Sequence, residues 1–268
     1  MSHRHWATAI LSVVMLASAI IDAAGQDMTR FLDLKSEEFT KADMTRSEIE
    51  AALAKVGPRG LVDLSAKRLN GLDLSDLDLR RVKLQATRLN RAKLTRANLD
   101  GVMLDQAWAL DADLTGATLR GASLFATQLM GARLDGADLS GARIAGDLSR
   151  ASLKHARLDG ANLSADMRNQ SMGLMRGVLH SARLDGASLE NADLSRVVLE
   201  FASLRNASLK GANLRRSELG GADLQGADVT DAEFDDADVT SARLIGLRGR
   251  DTARNFDRVR NIDRAFRD

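Results

Sequence analysis

The sequence predicts a solenoid, in which one chain winds into stacked coils, and two observations support this prediction. An apolar residue, usually Leu, recurs at every fifth position through most of residues 62–246. Ala usually stands two residues before it, as in the unit Ala-Asp-Leu-Ser-Gly at 137–141. A tandem repeat of this kind decides the architecture of the whole chain, so it takes precedence over any local assignment.

A period of five residues fits neither a helix nor a single strand. On a continuous α-helix the Leu positions would rotate around the axis, so no face could bury all of them. On one extended strand, successive Leu residues would point to opposite faces. The period is satisfied if the chain turns a corner every five residues, with Leu and Ala inside and three positions outside. The outer positions hold mostly Asp, Asn, Ser, Thr, Arg and Gly, several of which favour turns.

Units such as 137–141 and Ala-Asp-Leu-Gln-Gly at 222–226 resemble the pentapeptide-repeat family. The resemblance covers residues 62–246, and its many tandem copies make it specific. It implies an all-β solenoid, namely a right-handed quadrilateral β-helix with four units per coil and short helical N- and C-terminal caps. About nine coils would stack with a spacing of about 4.8 Å.

Residues 1–25 have the pattern of a secretory signal peptide. A basic start is followed by an uncharged apolar run and by Ala23-Ala24-Gly25, a small-residue cleavage site before Gln26. The alternatives are an uncleaved anchor, although the run is short for a membrane span, and a coincidental match to the pattern. We expect a periplasmic or secreted protein with no stable membrane insertion after cleavage.

Residues 26–61 are predicted to form a lead-in whose helix covers the first coil. The segment from Thr45 to Glu48 has the pattern of a capping box, and Gly57-Pro58 would end the helix. An uncovered coil would expose strand edges, which repeat arrays usually protect with a cap. The alternative is a helix that binds a partner.

Residues 247–268 are predicted to form a basic amphipathic helix. One stripe of such a helix would carry Ala253, Phe256, Val259, Ile262 and Phe266. The helix would either fold over the end of the rod or form a homodimer or another partner contact. In the first case its arginines would lie near an acidic ring on the last full coil, formed by Asp223, Asp228, Glu233 and Asp238.

The repeat has two register breaks. The interval from Ile144 to Leu148 is one residue short, and that from Leu163 to Leu174 is one residue longer than two units. We expect residues 164–173 to bulge from the rod, either as a harmless insertion or as a functional loop.

An apolar cluster on the outer surface is the first candidate for a protein contact. Ala109 occupies a Leu position and is flanked by two large apolar residues. The candidate residues are Trp108, Leu110, Phe125 and Met130. Large apolar side chains of this kind are enriched in interfaces. Alternatively, a local bulge would turn Trp108 or Leu110 inward to fill the space beside Ala109.

A basic band is the second candidate, because no Asp or Glu lies between Leu79 and Leu99. Its members are Arg80, Arg81, Lys83, Arg88, Arg91, Lys93 and Arg96. Such a band could bind phosphates or an acidic partner, or it could be an ordinary solvated surface. It has no interleaved aromatic residues on which bases could stack, so no nucleic-acid partner is expected.

The sequence contains few of the usual components of an enzyme site. It has no Cys, and after residue 25 its His residues are His155 and His180, both at outer positions. No HExxH, GxSxG or P-loop sequence occurs, so no catalytic residue, metal or cofactor is expected.

We therefore predict a non-catalytic, exported protein-interaction scaffold with an unidentified protein partner. One alternative follows from the family, some members of which mimic DNA and bind DNA gyrase. This chain departs from those members because its net charge is only +1 and it begins with an export pattern. A second alternative is a secreted effector that contacts a host protein.

Overall fold

The computed structural model of the protein describes residues 32–57, 60–167 and 175–268. The predicted signal peptide at 1–25 therefore lies outside the described residues. Within the described ranges, no helix combines the length and the apolar character that a membrane span requires.

In the described residues before the repeat, the chain forms two short helices. Helix α1 spans Glu37–Thr40 and helix α2 spans Arg46–Lys55. Both halves of the capping box are present, because the Glu48 N–H donates to Thr45 Oγ1 (3.3 Å) and the Thr45 N–H donates to Glu48 Oε2 (2.7 Å). Helix α2 packs against the repeat core through Ile49, which is fully buried.

The repeat is a stack of coils joined by parallel backbone pairing. Strands β1 (Val62–Asp63) and β2 (Val82–Lys83) pair in parallel, and nearly all further pairing within the described ranges consists of isolated parallel bridges. Most bridges connect a residue to the one twenty positions later, and they fall into four columns. In one column, for example, Asn98 pairs with Thr118 and Thr118 pairs with Asp138.

The predicted inward positions form the core. The Leu and Ala of the unit at 137–141 are fully buried, and equivalent residues are buried on almost every coil from Leu64 to Leu244. Each buried Leu contributes about 1.5–3 kcal/mol, so the stack is stabilised by many similar terms between neighbouring coils.

Nearly every corner is a turn in which one residue has a positive φ. The Ala117 N–H donates to the Leu114 carbonyl (3.0 Å), and Gly116 between them has φ +65°. A positive φ at the third residue is the requirement of a type II turn and is met most easily by Gly. Many corners nevertheless carry other residues in this conformation, including Asp111 at φ +55°.

Both predicted register breaks are present. Gln128 pairs with Asp147, nineteen positions later, and Asp147 pairs with Val178, thirty-one positions later. The first break requires a glycine, because a Cβ on Gly146 would lie 2.4 Å from the Thr127 carbonyl oxygen. At the second break the Asp166 N–H donates to the Met175 carbonyl (2.7 Å) and the Gly177 N–H donates to the Leu163 carbonyl (2.9 Å), whereas Leu174 lies outside the described residues.

The prediction of a C-terminal α-helix is wrong. Residues 247–268 instead contain three 3₁₀ helices, at Arg250–Thr252, Phe256–Arg258 and Ile262–Arg264. The parallel bridges continue to the end of the chain, in the pairs Asp228–Arg248, Glu233–Arg254, Asp238–Arg260 and Arg243–Phe266. The predicted homodimer contact through a C-terminal α-helix therefore cannot form, because these residues contain no α-helix.

The physical reason is a change of period from five residues to six. The units Arg-Asn-Phe-Asp-Arg-Val at 254–259 and Arg-Asn-Ile-Asp-Arg-Ala at 260–265 each place the extra residue in a 3₁₀ turn. Asn255 and Asn261 adopt positive φ at these corners, and their amides donate to Glu233 and Asp238. Backbone pairing therefore places Arg248, Arg254 and Arg260 on the coil next to the acidic ring.

Candidate functional site

The predicted apolar cluster is largely covered by the protein itself. The ring of Phe39, in α1, packs edge-on against Trp108 with the ring centroids 5.3 Å apart. Leu110 is only 8% exposed. Phe125 is half-buried beneath the guanidinium of Arg143, which lies 4.7 Å from its ring centroid, and Met130 is also half-buried. The four residues therefore do not form an open apolar surface.

The structure has no inward bulge at this point, which was the alternative for Trp108 and Leu110. The Trp108 N–H donates to the Thr87 carbonyl (2.9 Å), so the backbone pairing is regular, and Ala109 occupies the Leu position inside the core. The Leu110 N–H donates to Asn90 Oδ1 (3.0 Å), which holds that outer position in place.

Three members of the predicted basic band are compensated by carboxylates on the preceding coil. Lys83, Lys93 and Arg96 form ion pairs with Asp63 (3.7 Å), Asp73 (3.9 Å) and Asp76 (2.7 Å), each twenty positions earlier. Hydrogen bonds from Ser65 and the charge of Lys83 lower the pKa of Asp63, and Ser75 and Lys93 act in the same way on Asp73.

The other members of the band are divided among several faces. Arg80 pairs with Asp78 (2.7 Å), Arg88 with Glu38, and Arg81 donates to the Val56 carbonyl (3.1 Å). Arg91 is exposed and has no carboxylate within 4 Å in the described part of the chain. The seven residues therefore do not form one uncompensated basic surface.

Phe201, which is not among the residues predicted from the sequence, is the clearest outlier of the repeat. Its side chain is 63% exposed, and it occupies a corner position with φ +57°. The same corner on adjacent coils holds Ser181, Gly221 and Ser241. A bulky residue with positive φ is rare and costs about 1–2 kcal/mol. The corner requires a positive φ, but nothing in the turn requires a Phe, so a strained Phe at this position is a candidate for a functional role.

The ring of Phe201 is held in a defined position. It packs edge-on against His180, with the ring centroids 5.5 Å apart. It also lies over Gly221, where an added Cβ would come within 2.6 Å of ring carbons. Because Gly221 has no side chain, the next coil leaves room for the ring.

Phe201 forms part of a shallow depression on this side of the stack. The depression is also lined by Glu200, Glu218, Gly220, Gly221, Asp238, Thr240, Ser241 and Arg260. Three of these residues are acidic and one is basic, so the lining is predominantly negative.

The three carboxylates differ in how they are compensated. Glu218 accepts a hydrogen bond from Arg176 (2.7 Å), and Asp238 lies 3.9 Å from Arg260. Glu200 lies 3.7 Å from His180 Nδ1, which is an ion pair only when the imidazole is protonated. No Lys or Arg within the described ranges lies within 4 Å of Glu200, so it is the carboxylate least compensated by permanent charge.

The second register break contributes to the rim of this depression. Arg176 lies where the extra residues rejoin the stack, and it donates both to the Arg196 carbonyl (3.0 Å) and to Glu218. The start of the insertion is fixed by an ion pair between Arg143 and Asp166 (2.9 Å). Residues 168–174 lie outside the described residues.

A comparison of corner positions would have identified Phe201 from the sequence. Corner residues with positive φ are mostly Gly, Ala, Ser, Asn, Asp or Arg, and Phe201 is the one Phe among those described. The described residues also contain no group of three or more His, Asp or Glu side chains suited to hold a metal ion.

A family model for pentapeptide repeats matches eight copies of the unit in this chain. The matches cover residues 68–107, 111–144, 178–211 and 212–246, which together make up more than half of the sequence. The chain belongs to the pentapeptide-repeat family. The gap between the second and third matched ranges contains both register breaks, and the six-residue units at the C-terminus lie beyond the last range.

Solved structures of other pentapeptide-repeat proteins are similar to this chain. HetL, involved in heterocyst differentiation regulation in the cyanobacterium Nostoc sp. strain PCC 7120, is 30% identical with a TM-score of 0.58. That match covers 76% of this chain and 90% of HetL. Trypsin-treated QnrB1, a plasmid-mediated fluoroquinolone resistance protein, is 19% identical over 76% of this chain and 91% of its own, with a TM-score of 0.47. No curated protein sequence matches this chain.

Proposed function

We propose that this pentapeptide-repeat protein is a non-catalytic, exported scaffold that binds a protein partner at the Phe201 depression. The repeat would form a right-handed quadrilateral β-helix of about nine coils, with the depression on one side. The observation that carries the proposal is Phe201 itself, which is exposed and held in a strained backbone conformation. Exposed aromatic residues of this kind are enriched among the hot spots of protein interfaces.

The rigidity of the stack supports a binding role. Neighbouring coils are joined by backbone hydrogen bonds on every face. For example, the Phe201 N–H donates to the Gly220 carbonyl (2.8 Å). The ring is also fixed by His180 and Gly221. A surface that is ordered before binding loses little conformational entropy when the partner arrives.

The binding role can be tested by site-specific photo-crosslinking in the organism that makes the protein. A photoreactive residue at Ser241 would lie in the depression, and one at Gln106 would occupy the same kind of corner elsewhere. We expect a discrete crosslinked product from position 241 that disappears in the F201S variant, and none from position 106. Failure to form a product at position 241 would contradict the proposed binding surface.

Export can be tested separately by cell fractionation and sequencing of the mature N-terminus. We expect a periplasmic or secreted chain that begins at Gln26, because residues 1–25 have the pattern of a signal peptide. An intact Met1 on a cytoplasmic chain would contradict export. A cytoplasmic chain would instead favour the alternative of a gyrase-binding DNA mimic, which a gyrase supercoiling assay would test directly. A secreted effector that contacts a host protein would use the same depression.

A further inference from the structure

We propose that the Phe201 depression binds an arginine side chain presented by an exposed segment of the partner protein. The guanidinium would stack on the Phe201 ring and pair with the Glu200 carboxylate. This inference rests on the proposed function, because it names the chemistry of the partner at the same surface.

The charge of the depression is the first argument. Glu218 and Asp238 have arginine partners within the chain, whereas Glu200 is compensated only by His180 when that imidazole is protonated. The Glu200 side chain is 38% exposed, so an incoming cation can reach it. A charge-assisted hydrogen bond from a guanidinium would supply the missing counter-charge.

The pairing of Phe and Arg elsewhere in the protein is the second argument. Arginines lie over the rings of Phe39, Phe125 and Phe256, at 5.7, 4.7 and 5.2 Å from the ring centroids. Phe201 has no such arginine in the described part of the chain. It presents the same ring beside an under-compensated carboxylate, which is the combination that favours a planar guanidinium over a lysine ammonium.

The backbone conformation is the third argument, because it separates a binding role from a structural one. Phe201 is exposed and strained, so its ring adds little to the core, and the same corner holds Gly on the next coil. We therefore expect F201G to raise the Tm of the protein while removing arginine binding. A ring that served the fold would give the opposite change in Tm.

The binding test uses the mature chain with labelled phenylalanine rings and follows the Phe201 resonances by NMR. The probes are two capped peptides, Gly-Gly-Arg-Gly-Gly and its counterpart with citrulline, which keeps the shape of arginine without its charge. We expect the arginine peptide to shift the Phe201 signals and the citrulline peptide to bind about five- to ten-fold more weakly, as loss of one cation–π or charge contact predicts.

Two further variants complete the experiment. E200Q should weaken binding of the arginine peptide about five-fold, because it removes the counter-charge and keeps the shape. Q106G is the matched control for F201G, because Gln106 also has a positive φ (+62°) at a distant corner. It should raise the Tm in the same direction and leave peptide binding unchanged.

Several results would overturn the inference. Equal binding of the arginine and citrulline peptides would remove the role of the charge, and unchanged binding by F201G would remove the role of the ring. A fall in Tm for F201G would assign the ring to the fold. Self-association of the wild-type protein that F201G abolishes, without peptide binding, would make a second copy the occupant. A crosslinked partner at position 241 without arginine selectivity would contradict this inference and leave the proposed function intact. Absence of any crosslinked partner would contradict the proposed function itself.

Discussion

Gly146 provides a sharp test of how the first register break is accommodated. The short unit brings the backbone so close to the preceding coil that a Cβ at this position would lie 2.4 Å from the Thr127 carbonyl oxygen and 3.0 Å from its nitrogen. The Asp147 N–H donates to that same oxygen (3.0 Å), and the Gly146 carbonyl accepts from Val178 (2.9 Å). Neither backbone can therefore move without weakening a bond between coils.

We expect Gly146→Ala to destabilise the protein by about 2–4 kcal/mol. Overpacking of a rigid site costs about 1–3 kcal/mol, and a weakened hydrogen bond between coils costs about 1 kcal/mol more. The assay is urea unfolding followed by circular dichroism, with amide hydrogen exchange near the break to detect local opening.

Gly121→Ala is the matched control for this experiment. Gly121 has φ +64°, but no atom lies within 4 Å of an added Cβ. Its substitution should cost only the strain of a left-handed Ala, about 1–2 kcal/mol. If Gly146→Ala proved no more destabilising than Gly121→Ala, the argument that the short unit depends on close backbone approach would be refuted.

Three further predictions concern the core, the N-terminal helix and the C-terminal coil. Leu204→Ala should cost about 3–5 kcal/mol in urea unfolding because the side chain is fully buried, whereas the neighbouring exposed Arg205→Ala should cost less than about 1 kcal/mol. Thr45→Ala should cost about 1 kcal/mol through loss of the capping box, with the loss seen as faster amide exchange in α2. The C-terminal coil should open in acid. Burial raises the pKa of Asp238, but hydrogen bonds from Thr240 and Asn261 and the charge of Arg260 outweigh burial. The pKa of Asp238 is therefore lowered from its ordinary value of 3.8. The stabilisation from this carboxylate is therefore complete above that pH and is lost as the pH falls through the lower pKa of the folded state. A fall in the protection factor of the Arg260 amide below pH 3.8, after correction for the intrinsic exchange rate, would report this opening.

The location of the core and the corners could be predicted from the sequence because both depend on local spacing. Each five-residue unit carries its own inward Leu and Ala and its own turn, so the pattern needs no information from distant residues. The two register breaks and helix α2 were predicted for the same reason. The C-terminal coil could not be predicted in this way, because the spacing of its apolar residues also fits one stripe of an α-helix. The six-residue period becomes clear only when Asn255 and Asn261 are aligned as corners.

The sequence by itself determined the family, the core and the lack of the usual catalytic motifs, and the tertiary structure alone decided which surface is open. Trp108 is covered because Phe39 approaches it from α1, and the lysines of the basic band are compensated by carboxylates one coil earlier. The ring of Phe201 lies over the next coil because Gly221 has no side chain at that point, and it remains exposed to solvent. These contacts join residues twenty or more positions apart, and a solenoid brings such residues together through stacking rather than through local spacing.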